Sequence, residues 1–192
     1  RRIRMPHLPE NYEFKYENFK FQTKDKHNGK GWLLEPNNAH GSIIMLHGVS
    51  INKGWLLPQA EIYYNNGFRV ILFDWRSHGE SDYHIKFWRM YSGSKTDLYA
   101  ISDMLVKRNI TNEPIGVHCF SWGGGPGIWF ARKFPYVKAM ILEGGPPVSN
   151  INPVKQLYRR HSKLAKHRIL KERIFKRPIY RFLNATMEYD LW

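Results

Sequence analysis

Residues 114–130, PIGVHCFSWGGGPGIWF, decide how this chain is read. Residues 114–120 form an apolar run of strand length, and a glycine-rich, helix-like run follows at once. A strand that turns sharply into a helix lifts the side chain at the apex, here Ser121, out of the sheet at the strand's C-terminal edge. The residues two before and two after the apex must be small to avoid a clash. Gly123 meets that demand. Cys119 stands where glycine is expected and is larger, though still small. The helix start behind Ser121 would aim backbone N–H groups at negative charge developing beside the hydroxyl. On this segment alone, a nucleophilic serine and a serine in an inert strand–helix turn are equally good readings.

Working outward, GSIIMLHG (41–48), FRVILFD (68–74) and VKAMILEGG (137–145) share the continuous apolar character expected of strands buried on both faces. Helix-like segments lie between them. WLLPQAEIYYNNG (55–67) has Pro58 in its first turns and Gly67 just past its end. TDLYAISDMLVKRN (96–109) places Leu98, Ile101 and Leu105 at helical spacing, with Lys107 and Arg108 in the last turn. Ahead of these, YENFKFQT (16–23) alternates as a half-exposed strand does, with Phe19 and Phe21 on one face. HNGKGWLLEP (27–36) then supplies a glycine-containing turn and a second strand, making a hairpin. A hairpin followed by strand–helix alternation predicts an α/β fold, a mostly parallel doubly wound sheet with helices on both faces.

The chain of 192 residues is long enough for one domain, and 42% hydrophobic with 15% aromatic content excludes a disordered polymer. Three parts are expected: a basic tail or linker over 1–11, the core over 12–150, and a basic helical segment over 151–192. The formal charge is +14, and 151–192 holds eleven Lys/Arg against three Asp/Glu, so the excess is largely local. Such a segment suits either the solvated face of a cap over the core or an anionic membrane surface. Nucleic acid is the poorer partner, because no binding-fold signature or aromatic platform accompanies the charge. No apolar run reaches the roughly 18 residues that span a bilayer. One cysteine allows no internal disulfide and fits a reducing compartment. The chain opens on Arg1, and RRIR suits a basic flank after an anchor or signal. A cytoplasmic protein, or an anchored one facing the cytoplasm, is therefore expected.

Two further motifs carry chemistry. In MLHGVS (45–50), the His47-Gly48 turn follows a buried strand and lets backbone approach the same sheet edge as Ser121. The N–H of Val49 could then share an oxyanion with that of Trp122. In LFDWRSHGESD (72–82), Asp74, Arg76, His78, Gly79 and Ser81 suggest a polar loop locked by its own hydrogen bonds. Taken in order, LHGVSINKGW, GFRVILFDWRSHGESD and FSWGGG resemble the α/β-hydrolase superfamily. The likeness is to bacterial serine hydrolases of the esterase or acyl-peptidase type, and it covers roughly residues 12–150. The leading hairpin resembles that group's too, with Asn28-Gly29 where Asp-Gly is usual.

The resemblance implies that Ser121 is the nucleophile, with Val49 and Trp122 as backbone oxyanion donors. His47, Gly48, Asp74, Arg76, His78, Gly79 and Gly123 would support the motifs. It implies a small acyl substrate and neither metal nor cofactor. The family's order is serine, acid, histidine, with the last two on later loops. Downstream of Ser121 stand only His161 and His167, with Glu143, Glu172, Glu188 and Asp190, none matching the motif. Three accounts are open: an N-terminal portion whose acid and base lie beyond it, a non-catalytic relative, or a local base such as His47, His78 or His118.

Overall fold

The computed structural model describes residues 4–83 and 90–144. The segment 151–192, read as a basic helical cap, lies outside them, as do residues 1–3 and 145–150. Six strands are described: β1 (Tyr16–Gln22), β2 (Asn28–Leu34), β3 (Ser42–Leu46), β4 (Arg69–Phe73), β5 (Ile115–Phe120) and β6 (Val137–Glu143). Three α-helices accompany them: α1 (Leu57–Asn65) before β4, α2 (Met90–Lys107) before β5, and α3 (Gly124–Lys133) before β6.

The strands form one sheet in the order β1-β2-β4-β3-β5-β6. The hairpin β1–β2 is antiparallel and joins β4 antiparallel, while β4, β3, β5 and β6 run parallel. Alternation along the strands divides their side chains between two cores. Ile44, Leu46, Ile71, Phe73, Val117 and Cys119 meet Leu98, Ile101 and Leu105 of α2 and Phe130 of α3. Met45, Val70, Leu72 and Phe120 point the other way, onto Leu57 and Ala60 of α1. Both faces of the central strands are thus covered, as the continuous apolar runs required.

Helix ends follow their sequence signals. Pro58 sits in the first turn of α1, and Gly67 takes φ +78 just beyond it. Two expectations change. VKAMILEGG is expected to be buried on both faces; in the described sheet β6 is an edge strand opposite β1, and Ile141 is 51% exposed there. The hairpin turn, in turn, is residues 23–27, and Asn28-Gly29 belongs to β2. Thr23 closes the turn on His27 through backbone and hydroxyl hydrogen bonds, and Lys26 supplies the left-handed residue at φ +61. Gly29 lies under the Phe21 ring, which leaves no room for a side chain there.

Candidate active site

Ser121 stands between β5 and α3, on the exposed side of a single tight turn, Ser121–Gly123. Its φ is +49, the left-handed region that L-residues avoid. The surrounding packing enforces this strain. A Cβ on Gly123 would come within 2.6 Å of the Leu46 carbonyl oxygen and 3.0 Å of that of His47, so the turn abuts the end of β3. Cys119 is accommodated from the helix side, because its Sγ occupies the space a side chain at Gly127 of α3 would fill. Burial pushes the Cys119 thiol up to about 12, so it is no thiolate nucleophile near neutral pH.

The loop after β3 passes beside the serine. A Cβ on Gly48 would lie 3.2 Å from the Ser121 Cβ and 3.7 Å from its Oγ, so a larger residue there would press on the serine, and glycine lets the two approach without displacement. Next to it, Val49 is 40% exposed at the same sheet edge. His47 is fully buried, with Nδ1 2.7 Å from the Gly48 carbonyl oxygen. Its Nε2 accepts the Trp75 backbone N–H at 3.1 Å, which assigns the Nδ1–H tautomer. Burial drives its pKa down to about 4. The Trp75 indole N–H returns a hydrogen bond to the His47 carbonyl at 2.9 Å, and Trp122 packs edge-on against Trp75.

Residues 74–82 form a second buttress. Asp74 is fully buried; its Oδ1 accepts the Lys53 N–H at 2.9 Å, and its Oδ2 accepts the Glu80 N–H at 2.9 Å and the Lys53 ammonium at 2.6 Å. Burial alone would raise its pKa, but the Lys53 charge and these hydrogen bonds outweigh burial and hold it below the usual range. Gly79, at φ +45, packs so tightly on this carboxylate that no Cβ fits. Ser81 donates to the Asp74 carbonyl and accepts from the Lys30 N–H, tying the loop to β2. Arg76 is 2% exposed and grips Asp97 of α2 and Asp25 of the hairpin turn, at 2.8 Å each. His78 pairs through Nδ1 with the Arg76 carbonyl at 3.0 Å.

His118 projects from the α1 side of β5. Its Nδ1 lies 3.0 Å from the Tyr63 hydroxyl, and its Nε2 lies 3.3 Å from a carboxylate oxygen of Glu143 at the end of β6. Burial lowers its pKa, with Glu143 opposing. Among the described residues, Ser121 makes no hydrogen bond to a histidine; His47 and His118 direct their ring nitrogens elsewhere. No group of three metal-ligating side chains occurs among the described residues, and no described helix is long and apolar enough to cross a membrane. Sequence reasoning missed Lys53, Asp97 and Asp25. A lysine in INKGW gives no pattern that distinguishes it from a solvated loop residue.

Residues 37–184 match the family model described as serine aminopeptidase, S33. The chain belongs to this family. Its sheet is that of the α/β-hydrolases: the serine aminopeptidase member superposes on the Pyrococcus furiosus esterase Pf2001 with a TM-score of 0.72 at 23% identity, covering 85% of this chain and 61% of that one. In sequence it is 28% identical over 102 residues to the Bacillus subtilis protein YqkD, covering 53% of this chain and 33% of that one. It is 37% identical over 76 residues to the thiohydrolase aneE of Aspergillus aculeatus, covering 38% of this chain and 23% of that one. The chain therefore spans under two thirds of each of these relatives.

Proposed function

We propose that this serine aminopeptidase family member is a serine hydrolase that transfers an acyl group to water through Ser121. The observation that carries the reading is Ser121 held at φ +49 on an exposed turn, with the Gly48 backbone packed against it. Strain of this kind costs stability and persists where function needs the side chain presented.

In the reaction, Ser121 Oγ attacks the carbonyl carbon of an ester, thioester or amide and its proton passes to a histidine base. The oxyanion is received by the N–H groups of Val49 and Trp122. Collapse of the tetrahedral species expels the alcohol, thiol or amine, which takes that proton, and leaves an acyl-serine. Water then adds to the acyl carbon, releasing a carboxylic acid and the free hydroxyl. The base and its orienting acid lie outside the described residues, after Ser121 in the chain, as the family order implies. His47 supports the hole rather than serving as base, since both ring nitrogens are engaged and burial makes it a weak proton acceptor. Relatives described as an esterase and a thiohydrolase support an acyl substrate of this kind.

The test is a matched panel of a p-nitrophenyl ester, an acyl thioester and an aminoacyl anilide, given to the full-length protein and its Ser121→Ala variant. Turnover of at least one by the wild type alone is the expected result. Equal rates with both proteins would overturn the assignment.

A further inference from the structure

Lys53 has no exposed surface, although it follows directly on a loop at the open edge of the sheet. Its ammonium lies 2.6 Å from Asp74 Oδ2, 2.6 Å from Glu80 Oε2 and 4.4 Å from the centre of the Trp32 ring. Its own N–H donates to the other oxygen of Asp74. A buried ammonium is costly unless it is fully paired, so this arrangement resists any movement of residue 53.

Its location gives that resistance a use. The segment 47–53 meets the end of β4 at both of its ends: His47 accepts the N–H of Trp75, and Lys53 grips Asp74, the residue before it. The two anchors also approach each other, with His47 Nε2 3.9 Å from Asp74 Oδ1. Between them run residues 48–52, which carry the Gly48 contact to Ser121 and the Val49 N–H. Asn52 tightens the exit, its side chain accepting the Gly54 N–H at 3.1 Å.

We propose that Lys53 is a positioning residue: by clamping the C-terminal end of this loop to Asp74, it fixes the Val49 N–H where the oxyanion forms. This role rests on the reading of Ser121 as nucleophile. An oxyanion donor is effective only when preorganised, because a loop that must reorder in the transition state forfeits its electrostatic gain. Lys53 thus acts through the backbone, without touching substrate. Glu80, half-exposed, completes the ammonium's shell from the solvent side.

The experiment is amide hydrogen exchange on the full-length protein, with kcat and KM measured in parallel on the best substrate of the panel. Lys53→Met keeps an unbranched apolar side chain and removes the charge. Expected is exchange about tenfold faster in the peptide spanning 47–53, with β5 unchanged. The kcat should fall by about tenfold or more, with KM within about threefold. Glu80→Gln, which leaves the Asp74 pair intact, should give a smaller effect of the same kind and serves should Lys53→Met not fold. Unchanged loop exchange in a folded variant, or acceleration spread uniformly over the protein, would overturn the proposal. Exchange does not depend on turnover. A loosened loop in a protein that hydrolyses nothing would therefore count against Ser121, and a rigid loop in an active variant against Lys53.

Discussion

The Cys119 thiol of β5 fills the space against Gly127 of α3, so the small residue expected before the serine has in effect been moved onto the facing helix. Close approach of strand and helix is what the turn requires, and either partner can supply the missing side chain. Gly127→Ala should therefore destabilise the protein by about 1–3 kcal/mol through overpacking, despite alanine's better helix propensity. In a Cys119→Gly background the same change should be neutral or stabilising. Urea unfolding of the four proteins of this cycle measures the coupling.

Strain at Ser121 has a thermodynamic signature. Glycine occupies the left-handed region freely, whereas an L-residue there costs roughly 1–2 kcal/mol. Ser121→Gly should raise stability by about 1 kcal/mol and abolish any turnover, while Ser121→Ala abolishes turnover with little gain. Thermal unfolding of the three proteins separates release of backbone strain from loss of the hydroxyl. Equal melting temperatures would indicate that the turn is unstrained.

His47 links stability to pH. Its pKa is about 4 when folded, against an ordinary value of 6.5, because burial disfavours the charged ring. Between those values the unfolded chain binds a proton that the folded protein does not. Stability from this residue is therefore complete above about pH 6.5 and is lost as the pH falls toward 4, by up to about 3 kcal/mol. His27 and His118, also lowered by burial, add losses of the same sign. The slope lost in His47→Asn, read from urea unfolding at several pH values, isolates its share. An unchanged slope would show that His47 titrates normally.

Much of this architecture was legible because its signals are local. Pro58 and Gly67 bound α1 through their own backbone preferences, and Leu98, Ile101 and Leu105 mark the buried face of α2 by spacing alone. What could not be read depends on which residues become partners. The turn at residues 23–27 is closed by Thr23 and His27 rather than by Asn28-Gly29, and composition does not reveal which residues pair across it. Cys119 looked like a defect because the compensating Gly127 sits among other glycines that could all be helix-start residues. Lys53 was passed over because a charge in a loop is ordinarily solvated. Only the fold brings Asp74, Glu80 and Trp32 around it.

The proposed chemistry depends on an activated hydroxyl at Ser121. Its most direct test is intact-mass and peptide analysis of the full-length protein after treatment with a fluorophosphonate, beside Ser121→Ala. Phosphonylation requires an activated hydroxyl and releases fluoride, so it reports the nucleophile whatever acyl group the enzyme prefers. One phosphonyl adduct is expected on the wild type, mapped to Ser121, and none on the variant. No adduct on the folded wild type, or equal labelling of both proteins, would contradict that chemistry.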